Sequence, residues 1–356
     1  MYQNDTGVLD HPALTPPFFE QPGHAPSARR QPTLSSHVEA LGLVSDDLKR
    51  VNNKMQATDE VFAPLAGAIN LLLDSGGKRL RPALALLISK LYPDADSSKV
   101  VSLAAAVEML HSATLVHDDV IDGSLLRRGQ ATLNASWSQG ATILAGDFVF
   151  ARAAFFAAET DNIRVMKIFS QTLMTIVEGE LRQMYALRNW SQPKDAYYER
   201  IYGKTAALFA AATEAAAVLG HASEEEISLL RDYGHNVGMA FQIMDDILDF
   251  VGDPNKVGKP VGGDLRQGTV TLPVFYYLQT HPEATQVMVA STEGRSNGHL
   301  LGELITAIGA SSAIDATRVE AVQFIDTAKA CLASWPASPY RDGLLTLADY
   351  VVMRNV

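Results

Sequence analysis

The pattern D-D-x-x-D occurs twice in this chain, each time at the end of a long apolar stretch. Asp118, Asp119 and Asp122 stand in HDDVID, after AAAVEMLHSATLV; Asp245, Asp246 and Asp249 stand in MDDILD, after VGMAFQI. With 24 Asp in 356 residues, chance yields one such pattern about 0.1 times and two about 0.005 times. On a helix, positions i and i+4 share a face and i+1 is turned by about 100°, so each copy projects two or three carboxylates from one end of a turn. Carboxylates grouped in this way repel one another and cost desolvation unless a cation holds them. An oxygen donor set suits Mg²⁺, which keeps waters and bridges to phosphates; Ca²⁺ fits less well, because no 12-residue Gly-centred loop is present. The bland alternative is a solvated helix end or a helix cap. Two facing sets could instead hold a diphosphate through metal ions.

From Ser36 onward the chain reads as helix almost throughout. Ala and Leu dominate, and Val and Ile do not alternate with polar residues, so strands are not indicated. Helical stretches are expected over 100–122, 141–159, 163–188, 206–220, 224–251 and 318–334. Breaks are expected at Gly76-Gly77, Pro93, Gly129, Pro193 and Gly220. The segment from Gly252 to Gly268, with five Gly and two Pro, reads as a long functional loop. Residues 1–35 hold six of the 16 prolines and no apolar period, and read as a disordered tail outside the fold. Residues 36–356 then form one all-α domain of ten or more helices.

Composition narrows the class. A net charge of −11 argues against a non-specific nucleic-acid binder. The single cysteine, Cys331, excludes an intramolecular disulfide and a Cys-rich zinc site, and suits a reducing compartment. No apolar run is read as long enough to span a bilayer, and the acidic, Pro-rich N-terminus does not read as a signal peptide. A cytoplasmic location is the expectation.

Basic segments accompany the two clusters. They are Gly76-Gly77-Lys78-Arg79-Leu80-Arg81-Pro82 at a helix start, Arg127-Arg128-Gly129, Gly203-Lys204-Thr205 between two helices, and Lys256 and Lys259 in the long loop. Glycines allow close backbone approach, and a helix N-terminus favours anions. Any one basic doublet is ordinary surface; their joint occurrence in an acidic protein is not.

Taken together, GGKRLRP, HDDVIDGSLLRRG, GKTAALF, FQIMDDILDF and GDPNKVGKPVGGDLRQGTVTLP resemble, in order and spacing, the motifs of the trans-isoprenyl (polyprenyl) diphosphate synthases. The resemblance runs from about residue 38 to the C-terminus. It implies the all-α isoprenoid-synthase fold, a single large helical bundle around a central active-site cavity, a homodimer, and three Mg²⁺. It implies the head-to-tail joining of an allylic diphosphate to isopentenyl diphosphate with release of pyrophosphate. Carried over by position, Asp118, Asp119, Asp122, Asp245 and Asp249 would hold Mg²⁺, with Asp246 in support. Arg127, Lys204 and Lys259 would contact the allylic diphosphate. Gly77, Lys78, Arg81, His111 and Arg128 would bind isopentenyl diphosphate. Thr205 and Gln242 would steady the allylic cation, so the catalytic set is Asp118, Asp119, Lys204, Thr205, Gln242 and Asp245. His117 and His235 are read as ordinary packing residues.

Product length is the finer expectation. Leu110, Ala113 and Thr114, eight, five and four residues before Asp118, would line the tunnel for the growing chain. Short-chain relatives often carry a large aromatic at the last two of these positions, whereas Ala113 and Thr114 are small and leave the tunnel open. HSATLVHDD is similar to the long-chain synthases. Phe148, Phe150, Phe155 and Phe156 on the facing helix read mostly as core, though one could plug the tunnel deeper. Thr269 replaces a lysine common in short-chain members. The alternatives are a geranylgeranyl or medium-chain synthase, a class I terpene cyclase on the same fold, and a partner subunit of a heteromeric synthase. A long, water-insoluble product would also require peripheral membrane contact for release.

Overall fold

A computed structural model describes residues 36–57, 61–74, 77–127, 129–252, 261–292 and 299–354. The tail expected over 1–35 lies outside the described residues. The first helices are α1 (Ser36–Gly42), α2 (Ser45–Gln56), α3 (Ala63–Asp74), α4 (Leu80–Ser89), α5 (Ser97–Ile121), α6 (Leu133–Ser136), α7 (Gln139–Ala158) and α8 (Ile163–Ala186). They continue as α9 (Lys194–Ile201), a π-helical turn (Tyr202–Ala206), α10 (Ala207–Leu219), α11 (Glu224–Val251) and α12 (Gly263–Gln267). The last are α13 (Leu272–Thr280), α14 (Ala284–Thr292), α15 (His299–Gly309), α16 (Ser312–Cys331) and α17 (Pro339–Met353).

The helix starts follow from capping chemistry. The Asp96 carboxylate accepts the N–H groups of Ser98 and Lys99 at the head of α5. Asn162 does the same for α8, and Ser223 with Glu226 forms a reciprocal capping box on α11. Three acidic residues in the first turn of α11 complement its dipole. The core is built around α4, α5, α10 and α11. Every residue of α10 except Glu214 is buried, so this helix is apolar nearly all round and sits at the centre. Helix α5 packs mainly on α7, and α11 on α16 and α10. Both aspartate patterns therefore fall at the ends of helices that run through the core.

Three expectations need correction. A two-stranded hairpin, β1 (Leu126–Arg127) with β2 (Gln130–Ala131), follows the first aspartate cluster. Two-residue strands are too short to show alternation, and only Gly129, with φ +77°, marked the turn. The segment from Gly252 to Gly268 is not all loop: its last third is the helix α12. Finally, α5 and α7 are each long and apolar enough to cross a membrane by length and composition. Scattered charged residues hid both from a search for an unbroken apolar run. Helix α5 is explained as a core helix, since 78% of its apolar window is buried; α7 is buried over only 39% and presents an apolar face outward.

Candidate active site

The first cluster closes α5. Asp118 is half-buried, and its carboxyl is pushed up to about 6: burial is the main cause, offset in part by Lys204 and Arg127 and reinforced by Glu180 and Asp122. Asp122 caps the helix, its N–H donating to the Asp118 carbonyl at 2.8 Å. Asp119, one position round the helix, is buried and faces the hairpin. Arg127 donates to its Oδ1 from Nε at 3.0 Å and approaches it with Nη2 at 2.9 Å. The three carboxylates thus divide, as helical spacing requires: Asp118 and Asp122 share the field of Lys204, while Asp119 is held by Arg127.

Lys204 and Thr205 lie between α9 and α10, as expected, in the π-helical turn that joins them. This turn crosses α8 at unusually short range. A Cβ on Gly203 would lie 2.9 Å from the Gly179 Cα, so only glycine fits on both sides. Beside the crossing, Lys204 Nζ pairs with Glu180 at 3.1 Å. Burial alone would lower the Lys204 pKa, but Glu180, Asp118 and Asp122 outweigh it, and the ammonium is stabilised. The neighbouring Thr205 hydroxyl donates to Gln242 Oε1 at 2.6 Å. Gln242 Nε2 donates to Asp246 Oδ1 at 2.9 Å, and the Tyr197 hydroxyl donates to Asp246 Oδ2 at 2.7 Å. One short turn therefore addresses both clusters, the first through Lys204 and the second through Thr205.

In the second cluster the three aspartates have different surroundings. Asp246 is 2% exposed, and both its oxygens are occupied by Gln242 and Tyr197 inside the core. Burial and the nearby Asp264 push its carboxyl up. Asp245 pairs with Arg354 Nη2 at 2.6 Å, and this guanidinium stacks on Phe241 at 3.8 Å from the ring centre. Burial raises the Asp245 pKa; Arg354, Arg81 and Lys78 oppose that rise. Asp249 accepts the N–H groups of Gly263 and Asp264 at the head of α12, at 3.0 and 3.1 Å. The N–H of Gly262, at φ +72°, donates to the Asp249 carbonyl at 2.7 Å. A Cβ at Gly262 would meet Ile305 at 2.5 Å, so this approach also depends on glycine.

The GGKRLRP segment leads into α4. Gly77 and Lys78 are exposed, and Lys78 Nζ stands 5.0 Å over the Tyr350 ring. Arg81 lies over Phe209 at 4.4 Å, on the same side as Asp245. His111 is half-buried on α5, two turns before Asp118. Arg128 and Lys259 lie outside the described residues. Thr269 is buried, and its N–H donates to the Asp264 carbonyl at 2.8 Å. His117 packs between Gly146 and Asp147 of α7, and His235 is tilted against Tyr202.

Leu110 and Ala113 are buried in the main apolar cluster, and the Thr114 hydroxyl turns back to the His111 carbonyl at 2.8 Å. Phe156 is buried, Phe148 and Phe150 pack partly against the core, and Phe155 is 62% exposed. Phe155 faces outward because it lies on the far side of α7 from α5.

Sequence reasoning missed Glu180, Arg354, Tyr197 and the pair Arg79–Glu108. Each acts through a partner distant in sequence. A charge inside an apolar run was the only available signal, and it applied to Glu108 alone. Among the described residues, no three His, Cys, Asp or Glu side chains converge tightly enough to hold an ion unaided. The all-oxygen donor set, with Asp118 raised by burial, still fits a divalent cation whose remaining ligands are phosphate oxygens and water.

Residues 63–305 match the family described as Polyprenyl synthetase. The chain is 37% identical over 313 residues to heptaprenyl diphosphate synthase component 2 of Geobacillus stearothermophilus, covering 88% of this chain and 97% of that protein. It is 36% identical over 285 residues to the octaprenyl diphosphate synthase of Escherichia coli strain K12, covering 80% and 88%. The polyprenyl synthase from Caulobacter crescentus CB15, solved in complex with calcium and isoprenyl diphosphate, superposes with a TM-score of 0.83 at 35% identity, covering 92% of this chain and 100% of that one. The fold, the motif order and these similarities converge on one assignment: the chain belongs to the polyprenyl synthetase family and is a prenyltransferase of the isoprenoid-synthase fold.

Proposed function

We propose that this enzyme adds isopentenyl diphosphate units to an allylic diphosphate, releasing pyrophosphate at each step, to give a long all-trans polyprenyl diphosphate. One observation carries the reading: the Tyr202–Ala206 turn sets Lys204 against Asp118 and Asp122 while Thr205 reaches the second cluster through Gln242. Breaking the allylic C–O bond separates charge. Arg127 and Lys204 would stabilise the departing pyrophosphate, and their pairs with Asp119 and Glu180 hold them in place beforehand. The Thr205–Gln242 pair offers oriented dipoles for the allylic cation. Lys78, Arg81 and His111 would hold the second diphosphate beside the first, which makes attack by its double bond effectively intramolecular. Asp118, Asp119, Asp122, Asp245 and Asp249 would hold Mg²⁺, three ions by the family pattern, and these supply charge neutralisation at the leaving group when bound. Asp246 has a supporting role, since its oxygens face Gln242 and Tyr197.

The small residues Ala113 and Thr114 support a long product. A homodimer is supported by the outward apolar faces of α7 and α8, where Leu144, Phe155, Met174, Val177, Leu181 and Met184 are exposed. The last four recur at three- and four-residue spacing, forming one stripe along α8. The relative named as a synthase component supports a second reading, in which a different subunit covers this face. Residues 36–356 form the catalytic body, in the cytoplasm, with membrane contact at product release.

The test is product mass. Purified enzyme is incubated with Mg²⁺, isopentenyl diphosphate and geranyl, farnesyl or geranylgeranyl diphosphate in turn. A ladder running well past four isoprene units is expected. A product that stops at four or fewer refutes the long-chain reading. Cyclic hydrocarbon from the allylic substrate alone refutes the synthase reading. Activity that needs a second polypeptide favours the heteromeric one.

A further inference from the structure

The segment that enters α4 carries three cations in four positions, Lys78, Arg79 and Arg81, and one of them is turned away from the other two. Arg79 points inward. Its Nη1 donates to Glu108 Oε1 at 2.6 Å and its Nη2 to the Leu73 carbonyl at 2.7 Å. The guanidinium fork thus ties the end of α3 to the middle of α5. Glu108 is 5% exposed, set in the apolar run of α5, one turn before His111. Arg79 also holds φ at +47°, the left-handed region that non-glycine residues avoid, at the position that caps α4. In that conformation the chain sends Lys78 out over Tyr350, drops Leu80 into the core and lays Arg81 on Phe209.

We infer that Arg79 and Glu108 are a positioning pair. They fix Lys78 and the head of α4, with Arg81, relative to His111 and so set the geometry of the site for the non-allylic diphosphate. This rests on the reading of Lys78, Arg81 and His111 as that site. Arg79 itself touches no substrate, because its fork is spent on Glu108 and Leu73. A lysine could not replace it: one ammonium on a flexible stem lacks the planar fork that meets both acceptors. The allylic side, held by Arg127 and Lys204, has no member on this segment. A loosened segment should therefore weaken one substrate and spare the other.

The experiment measures KM for each substrate separately, kcat and Tm in Glu108→Gln, Arg79→Lys and Arg79→Gly, with Lys78→Ala as reference. KM for isopentenyl diphosphate is expected to rise at least about tenfold in the first three, with KM for the allylic diphosphate within about twofold. Arg79→Gly separates tether from strain. Glycine accepts the left-handed backbone, so a role confined to backbone shape would leave its KM unchanged, whereas the tether predicts the full rise. Arg79→Lys, the mildest change, keeps the test open if Glu108→Gln fails to fold. The proposal is overturned if Lys78→Ala raises the isopentenyl diphosphate KM while the Arg79 variants do not, or if both KM values rise together. If Lys78→Ala itself has no effect, the site reading has failed instead, and the proposal with it.

Discussion

Replacing Ala113 with phenylalanine tests the tunnel and the packing of α5 in one variant. Ala113 precedes Asp118 by five residues, so at about 1.5 Å per residue it lies about 7.5 Å down the helix, with Leu110 about 12 Å down. An extended isoprene unit spans about 5 Å, given C–C bonds of about 1.5 Å. A phenyl ring at Ala113 would therefore block the chain after about two units. Ala113 is 2% exposed, which makes stability a second readout. If the ring enters space reserved for product, Tm stays within about a degree of wild type. If that space is close-packed core, overpacking costs about 1–3 kcal/mol, which lowers Tm by a few degrees in a domain of this size. The assay is mass spectrometry of dephosphorylated products beside a melting curve. Shorter product with unchanged Tm is expected. An unchanged product, or a marked loss of Tm, would refute the placement of the tunnel beside Ala113.

Three further outcomes are expected. Asp118 has its carboxyl raised from 3.8 to about 6, so between those values the folded state binds more protons than the unfolded one and stability falls as pH rises. A divalent cation reverses this by favouring the charged form. The Mg²⁺-induced rise in Tm, measured with pyrophosphate present, should therefore be large at pH 7.5 and fade as pH falls through about 6; a pH-independent rise would contradict the assignment. Tyr197→Phe removes the donor to buried Asp246 Oδ2 and should cost about 1–3 kcal/mol in denaturant unfolding, with kcat reduced through the loosened Gln242; unaltered kcat would remove Tyr197 from the catalytic support. Leu181→Arg places a charge in the α8 stripe and should convert the proposed dimer to monomer in light scattering, whereas an unchanged mass would count against that interface.

The helical body and the charged residues of the site were legible because the chemistry leaves marks on single residues. Carboxylates inside apolar helices, and glycines beside lysines, stand out whatever their tertiary partners. Orientation was not legible. Nothing in MDDILD tells that Asp246 turns into the core to meet Tyr197, 49 residues away, while Asp249 turns to the head of α12. Arg354, just beyond the last helix, belongs to no motif, yet it is buried against Asp245 and Phe241. The two-residue hairpin is below the length at which alternation can be read. The apolar face of α7 was hidden because burial, and not composition, separates an inward-facing apolar residue from an outward-facing one.

The π-helical turn carries a consequence for how this enzyme tolerates change. A π turn holds one residue more than the α-helical turn it interrupts, and that extra residue lets two neighbours, Lys204 and Thr205, serve opposite clusters. Deleting one residue between Tyr202 and Ala206 would restore regular α-helix and satisfy the backbone. It would also remove the extra position in the turn, so that Lys204 and Thr205 could no longer both reach their partners. Substitutions at this crossing face the steric limit of Gly179 and Gly203, but a deletion escapes it. The segment is thus a point where the chain could gain helical regularity and lose its activity in a single step.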